Sequence, residues 1–122
     1  MFSSILILCI GNICRSPLAE AQLQRLLKDK SIKIASAGLH AMHAMHAMHD
    51  YPASEHSQTI AQANGLDLSD HRAQQVSQSL LKTADLILVM TSRQLKEVHQ
   101  SYPETRGKVF LVHKIPPTDI PD

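Results

Sequence analysis

The segment from Cys9 to Ser16 places a nucleophile and a fixed positive charge in one short loop. Its sequence is Cys-Ile-Gly-Asn-Ile-Cys-Arg-Ser, after an aliphatic run and before a pattern of helical period. Backbone N–H groups in such a loop can face an anion at the start of the helix, and the planar guanidinium of Arg15 can bind two oxygens of that anion. A cysteine among these donors is favoured as the thiolate. The pattern therefore predicts a phosphate site with Cys9 as nucleophile and Arg15 as clamp.

The other loop residues are predicted to bind the same anion or to hold the loop in shape. The predicted phosphate-binding residues of the loop are Ile10, Gly11, Asn12, Ile13, Cys14 and Ser16. Asn12 tolerates a left-handed backbone and can bond across the loop, while Ser16 either donates to the sulfur or caps the helix. The alternative, a buried strand-end cysteine and an exposed arginine, is common for a bare Cys-x5-Arg match. The order of strand, loop, Arg, Ser and helix favours the phosphate site.

Length and composition favour one ordinary globular domain over residues 1–122. The chain is 43% apolar and 19% charged, with a formal net charge of +1, which gives no electrostatic footprint for nucleic acid or a membrane surface. The N-terminus lacks the basic region and cleavage site of a signal peptide, and no apolar run reaches the roughly 20 residues of a membrane span. A cytoplasmic protein is expected. Its two cysteines are too few for a disulfide scaffold and lack metal-ligand spacing, so reduced thiols are expected.

Aliphatic runs alternate with helical patterns along the chain. Strands are predicted at 4–8, 32–35, 85–90 and 109–112, and helices at 17–29, 52–64, 73–81 and 92–101. This alternation predicts an α/β fold with a four-stranded parallel sheet, right-handed crossovers and helices on both faces. Ligands bind at the carboxyl ends of the strands in such a fold, and the Cys9 loop follows the first strand.

The run Cys-Ile-Gly-Asn-Ile-Cys-Arg-Ser-Pro-Leu-Ala-Glu-Ala, residues 9–21, resembles the signature of the low-molecular-weight protein tyrosine phosphatases, above all the bacterial ones. The likeness continues through Ser36-Ala37-Gly38, His71-Arg72-Ala73, Asp85–Met90, Arg106–Val109 and Ile120-Pro121-Asp122. It implies a phosphatase I-like, three-layer α/β/α fold. It also implies hydrolysis of phosphotyrosine through a cysteinyl-phosphate, with no metal or other cofactor.

The same resemblance implies roles for individual residues. Arg15 and the loop amides would bind the equatorial oxygens of the phosphoryl group, and Asn12, Ser16 and Ser36 would form a hydrogen-bonded network. The implied partner is a phosphotyrosine protein, such as an autophosphorylated bacterial tyrosine kinase of polysaccharide export. Nucleic acid and membrane insertion are not implied.

A general acid must protonate the tyrosinate leaving group. By resemblance this is an aspartate, and Asp122 is predicted for the role, with Asp119 as second choice. The sequence stops at Asp122, before the proline, the aromatic residue and the final helix that the family would place next, so a C-terminal truncation is expected. The alternative is that Asp122 is an exposed loop carboxylate without a role.

The segment from His40 to His49 contains His-Ala-Met three times and ends in histidine. The preferred interpretation is a solvated insert, because the biased composition identifies a low-complexity segment and predicts no packed structure for it. Binding of a divalent ion by histidines three residues apart is the alternative.

Two other functions compete with a phosphatase. A thiol-dependent arsenate reductase uses the same type of Cys loop, but its chemistry needs resolving cysteines on a distal segment and none follows Cys14. An inactive phosphate-binding domain would result if the chain lacked a working acid. Hydrolysis of an aryl phosphate distinguishes an enzyme from such a domain.

Overall fold

Four parallel strands form one sheet in the order β2-β1-β3-β4. The computed structural model describes residues 3–13, 15–27, 31–40 and 51–112. The strands are β1 (Ser4–Cys9), β2 (Lys33–Gly38), β3 (Leu86–Val89) and β4 (Val109–Leu111). All neighbouring pairs run parallel, so the predicted four-stranded parallel sheet is confirmed. The two inner strands, β1 and β3, are almost wholly buried and consist mainly of Leu, Ile and Val, as parallel strands covered on both faces usually do.

The helices connect the strands and begin at polar caps. They are α1 (Arg15–Leu26), α2 (Glu55–Ala63), α3 (Gln78–Thr83) and α4 (Ser92–Ser101), with a 3-10 turn at Pro103–Thr105. The hydroxyls of Ser54, Ser77 and Thr91 accept hydrogen bonds at the first turns of α2, α3 and α4, which satisfies N–H groups that the helix itself leaves unpaired. None of the described helices has the length and apolar character that a membrane span requires.

Alternate residues of each strand supply two separate cores. On one face Leu6, Leu8, Ile87 and Val89 pack with Leu81 of α3 and Val98 of α4. On the other face Ile5, Ile7, Cys9 and Leu88 pack with Ala19 of α1. Helices therefore cover both faces, and the predicted three-layer α/β/α arrangement is confirmed. The apolar set on α1 also contacts α2 through Leu18 and Ala61.

The helix predicted over residues 73–81 is wrong in its first half. Residues 73–77 are not helical, with Gln75 bridged to Gly38, and α3 begins only at Gln78. Ser77 stops the helix from starting earlier, because its hydroxyl accepts a hydrogen bond from the N–H of Leu80 and its own backbone is extended. The residues lost from the helix lie along the outer edge of β2 and bond to it.

The observed bounds of three other elements differ by three residues from the predicted ones at one end. α2 begins at Glu55 rather than at Pro52, because Ser54 is its N-cap. β2 continues to Gly38, three residues beyond the predicted end at Ala35, because Ala37 and Gly38 pair in register with Leu8 and Cys9. α1 ends at Leu26 rather than near Asp29, and residues 28–30 lie outside the described part of the chain.

Candidate active site

Cys9 is the last residue of β1, at the carboxyl end of a strand in the middle of the sheet. It pairs with Gly38, the last residue of β2, and its side chain is 5% exposed. Arg15 follows as the first residue of α1. The positive end of the helix dipole therefore lies at the C-terminal side of the loop, where it favours an anion.

The loop carbonyls are turned outward by a series of hydrogen bonds. The carbonyl oxygens of Cys9, Ile10 and Ile13 accept bonds from the backbone N–H groups of Leu39, His40 and Ser54, at 2.8, 2.9 and 2.8 Å. In a trans peptide the C=O and the following N–H point in opposite directions, and every described peptide bond is trans. The amides of Ile10 and Gly11 thus face the opposite side of the loop. This is the geometry of a backbone cradle for an anion.

Asn12 holds the centre of the loop in a left-handed conformation, with a φ of 61°. The residue is completely buried, and each of its polar atoms has a partner. Its N–H donates to the Cys9 sulfur at 3.2 Å, and its carbonyl oxygen lies 2.6 Å from Nε2 of His71. Because a carbonyl can only accept, Nε2 of His71 carries the hydrogen in this contact.

The side chain of Asn12 has a fixed orientation. Its Oδ1 lies 3.0 Å from the backbone N of Gln74, and an N–H can only donate, so this oxygen is the acceptor. Nδ2 then donates both of its hydrogens, to the hydroxyl oxygens of Ser16 and Ser36, each at 2.8 Å. The amide orientation determines the direction of the bonds that follow.

The hydroxyls of Ser36 and Ser16 continue the network from the Asn12 amide. Ser36 accepts from Asn12 and donates to the carboxylate of Glu20 at 2.5 Å. Ser16 accepts from Asn12 and lies 2.8 Å from the Cys9 sulfur. A thiolate sulfur can only accept, so with Cys9 ionised the Ser16 hydroxyl is the donor in this contact. As a thiolate, the sulfur accepts from two donors, the Ser16 hydroxyl and the Asn12 backbone amide.

The structure brings together most of the residues that the sequence placed in the site. Cys9, Asn12, Ser16 and Ser36 are joined by direct hydrogen bonds. The alternative role of Ser16 as a helix cap is wrong, because Ser16 lies inside α1 with its hydroxyl on the sulfur. Cys14 and both candidate acids, Asp119 and Asp122, lie outside the described residues, so their roles stay predictions.

Three residues of the network had no role predicted from sequence. Glu20 accepts from the Ser36 hydroxyl, His71 binds the Asn12 carbonyl and Gln74 binds the Asn12 side chain. Glu20 and Ser16 are four residues apart on α1, so one face of that helix carries both, a signal that the helical period could have supplied. Nothing in the sequence places Gln74, 62 residues from Asn12, beside the loop.

His40, the first residue of the histidine-rich segment, is the part of it that the structure describes. Its backbone N–H binds the Ile10 carbonyl, and its Nε2 lies 2.6 Å from Oε2 of Glu97 on α4. The remaining histidines of the repeat lie outside the described residues, and so does the metal site that was their alternative interpretation.

The chain matches a protein-family model over almost its whole length. The model described as low molecular weight phosphotyrosine protein phosphatase matches residues 4–120. The chain belongs to the low-molecular-weight phosphotyrosine protein phosphatase family. The family resemblance and the protein-tyrosine phosphatase class predicted from the sequence are confirmed.

Individual relatives agree with membership of this phosphatase family. The probable low molecular weight protein-tyrosine-phosphatase EpsP of Ralstonia solanacearum is 40% identical over 122 residues, which are 100% of this chain and 79% of the relative. Vibrio vulnificus Wzb in complex with benzylphosphonate has a TM-score of 0.88 at 38% identity, with 100% of this chain and 82% of that chain covered. The YwlE arginine phosphatase from Geobacillus stearothermophilus has a TM-score of 0.82 at 29% identity, with 98% and 74% covered.

Proposed function

We propose that this phosphatase hydrolyses phosphotyrosine on proteins with Cys9 as the nucleophile. The sulfur attacks phosphorus, an S–P bond forms as the P–O bond to tyrosine breaks, and the tyrosinate takes a proton from the general acid. Water then attacks the cysteinyl-phosphate, with the same carboxylate as base, and releases inorganic phosphate and the thiolate. The observation that carries this proposal is the pair of hydrogen-bonding groups on the Cys9 sulfur, the Ser16 hydroxyl at 2.8 Å and the Asn12 N–H at 3.2 Å.

Binding of the phosphoryl group is assigned to the loop and to Arg15. The backbone amides turned away from the bonded carbonyls would donate to the equatorial oxygens, and Arg15 would add two parallel N–H donors. Such donors are worth most where negative charge develops in the transition state and water is excluded. Asp122 is the proposed general acid, with Asp119 as the alternative.

Phosphotyrosine is favoured over phosphoarginine by the order of the similarities. The tyrosine phosphatase EpsP is 40% identical to this chain, whereas the arginine phosphatase YwlE is 29% identical. The Vibrio relative binds benzylphosphonate, an aromatic ring that carries a tetrahedral phosphorus group as phosphotyrosine does. The partner we propose is an autophosphorylated bacterial tyrosine kinase of polysaccharide export, acted on in the cytoplasm, where a thiolate stays reduced.

Matched phosphopeptides test the substrate. Peptides of one sequence that carry phosphotyrosine, phosphoarginine or phosphoserine are incubated with the protein, and phosphate release is measured. We expect kcat/KM to be highest for phosphotyrosine and to fall to background in the Cys9→Ser variant. Faster release from phosphoarginine, or release that survives Cys9→Ser, would overturn the proposal.

The acid is tested with leaving groups of different basicity. Asp122→Asn should slow hydrolysis of phenyl phosphate strongly and that of p-nitrophenyl phosphate weakly, because the nitrophenolate needs no proton. Asp119→Asn is the matched control. If Asp119→Asn shows the selective loss and Asp122→Asn does not, the acid is Asp119.

A further inference from the structure

The edge of β2 is closed by a segment that is not a strand of the sheet. β2 is an outer strand, and it pairs with β1 along one edge. Along its other edge the N–H of Gly38 donates to the Gln74 carbonyl at 2.7 Å, and the Gly38 carbonyl accepts from the N–H of Val76 at 2.8 Å. In a strand, residues two apart turn their backbone groups to the same edge. The Ser36 carbonyl therefore points to this edge as well.

A side-chain amide binds that carbonyl in place of a strand. Nε2 of Gln74 donates to the carbonyl oxygen of Ser36 at 2.9 Å, while the backbone N–H of the same residue donates to Oδ1 of Asn12 at 3.0 Å. Gln74 thus bonds to both residues that share the 2.8 Å hydrogen bond from Asn12 Nδ2 to Ser36 Oγ. Its two contacts fix the position of the loop centre relative to β2.

We propose that Gln74 is a positioning residue for the Cys9 nucleophile, an inference that rests on the proposed function. The Gln74 side chain keeps the backbone of residue 74 against β2, and the backbone N–H keeps the Asn12 amide in the orientation that donates to Ser16 and Ser36. In that orientation Ser16 accepts from Asn12 and can donate its own hydrogen to a thiolate at Cys9. Loss of the Nε2 donor frees the Ser36 carbonyl and lets Asn12 shift from its left-handed, fully buried position.

The neighbouring residue provides a matched control. Nε2 of Gln75 donates to the carbonyl of Leu39 at 2.8 Å, so it too binds a backbone carbonyl just beyond the β2 edge. Neither Asn12 nor Ser36 is its partner in that bond. A general loss of stability at this edge should affect both glutamines alike, whereas positioning of Cys9 should depend on Gln74.

The test compares four variants with the wild type. Gln74→Glu keeps the shape but turns an acceptor toward the Ser36 carbonyl, Gln74→Met removes the donor without adding charge, Gln74→Arg keeps a donor, and Gln75→Met is the control. Three quantities are measured for each variant: kcat and KM with an aryl phosphate, and the rate of Cys9 alkylation by iodoacetamide at one mildly acidic pH.

We expect Gln74→Met to lower kcat and the alkylation rate about three- to tenfold, the range of one net hydrogen bond, with KM changed less than about twofold. Gln74→Glu should show at least this loss. Gln74→Arg should restore both rates, and Gln75→Met should leave both near wild type. Equal losses in Gln74→Met and Gln75→Met, or none in Gln74→Met, would overturn the inference.

The alkylation rate separates this inference from the proposed function. It depends on the Cys9 thiolate and needs no hydrolysis of phosphate. A wild type that alkylates readily but does not hydrolyse any phosphotyrosine peptide would contradict the function. The inference on Gln74 would then stand or fall on alkylation alone.

Discussion

The hydroxyl of Ser16 lies 2.8 Å from the sulfur of Cys9, and the same hydroxyl oxygen accepts a hydrogen bond from the Asn12 side-chain amide. This relationship joins the end of a buried strand to the first turn of a helix. Because Cys9 ends β1 and Ser16 belongs to α1, the packing of β1 against α1 fixes the position of the nucleophile.

Ser16→Ala should slow both hydrolysis and Cys9 alkylation about 10- to 100-fold, because a hydrogen bond to a charged group contributes about 1.5–3 kcal/mol. The substitution removes the hydroxyl donor and leaves the loop sequence unchanged. Ser57→Ala, at a second buried serine on α2, is the control and should leave alkylation unchanged. Equal alkylation rates in Ser16→Ala and wild type would show that the hydroxyl does not act on the sulfur.

Two substitutions at Asn12 separate its backbone from its side chain. Both Asn12→Gly and Asn12→Ala remove the side-chain network, but alanine must also adopt a φ of 61°, which costs about 1–2 kcal/mol for a residue with a Cβ. We expect Asn12→Ala to be about 1 kcal/mol less stable than Asn12→Gly in urea denaturation. An alanine variant as stable as the glycine variant would contradict the left-handed assignment.

Leu8→Ala should destabilise the fold by about 2–5 kcal/mol, the range for a large buried side chain cut to alanine. Leu8 is fully buried in the core that α3 and α4 cover. Leu26→Ala is the matched control, since Leu26 is 70% exposed at the end of α1, and its effect should stay within about 0.5 kcal/mol. Comparable losses in the two variants would contradict the placement of β1 at the centre of the sheet.

The pH dependence of stability should depend in part on Asp85. Hydrogen bonds from the backbone N–H of Ser3 and then from the Ser3 hydroxyl lower the pKa of this exposed carboxyl. Because the folded pKa lies below the unfolded one, the stabilisation is complete above pH about 4 and is lost as the pH falls through the lowered value.

Asp85→Asn provides the measurement for this contribution. The variant should be less stable than wild type at neutral pH, and the difference in urea midpoint should shrink as the pH is lowered below about 4. Asp70→Asn, at another exposed aspartate, is the comparison. A difference between wild type and Asp85→Asn that grows in acid would contradict the assigned direction.

Local patterns in the sequence predicted the sheet and the loop, because both depend on neighbouring residues. A buried parallel strand needs a short aliphatic run, and the segment that includes Ile5, Leu6, Ile7 and Leu8 has one directly before Cys9. The loop needs a left-handed residue, and Asn12 is among the few residue types that adopt this conformation readily. The nucleophile and its nearest hydroxyl therefore followed from residues 4–16 alone.

The supports of the loop could not be predicted in the same way, because they come from distant segments. Ser36 is 24 residues from Asn12, and Gln74 is 62 residues away. The spacing of Ala73, Val76, Leu80 and Leu81 fits a helix as well as an extended segment followed by a helix. Which of the two forms depends on two backbone carbonyls, one on β2 and one just after it, that accept hydrogen bonds from Gln74 and Gln75. The start of this helix therefore depends on tertiary contacts, which residue propensities do not describe.

The most direct test of the account is the detection of phosphate on Cys9 itself. The protein is mixed with an aryl phosphate, quenched in acid within one turnover and examined by peptide mass spectrometry, with Cys9→Ser as the control. We expect phosphate on the peptide that contains Cys9, formed at least as fast as the enzyme turns over. Turnover without a phosphorylated Cys9 peptide, or with phosphate on another residue, would contradict it.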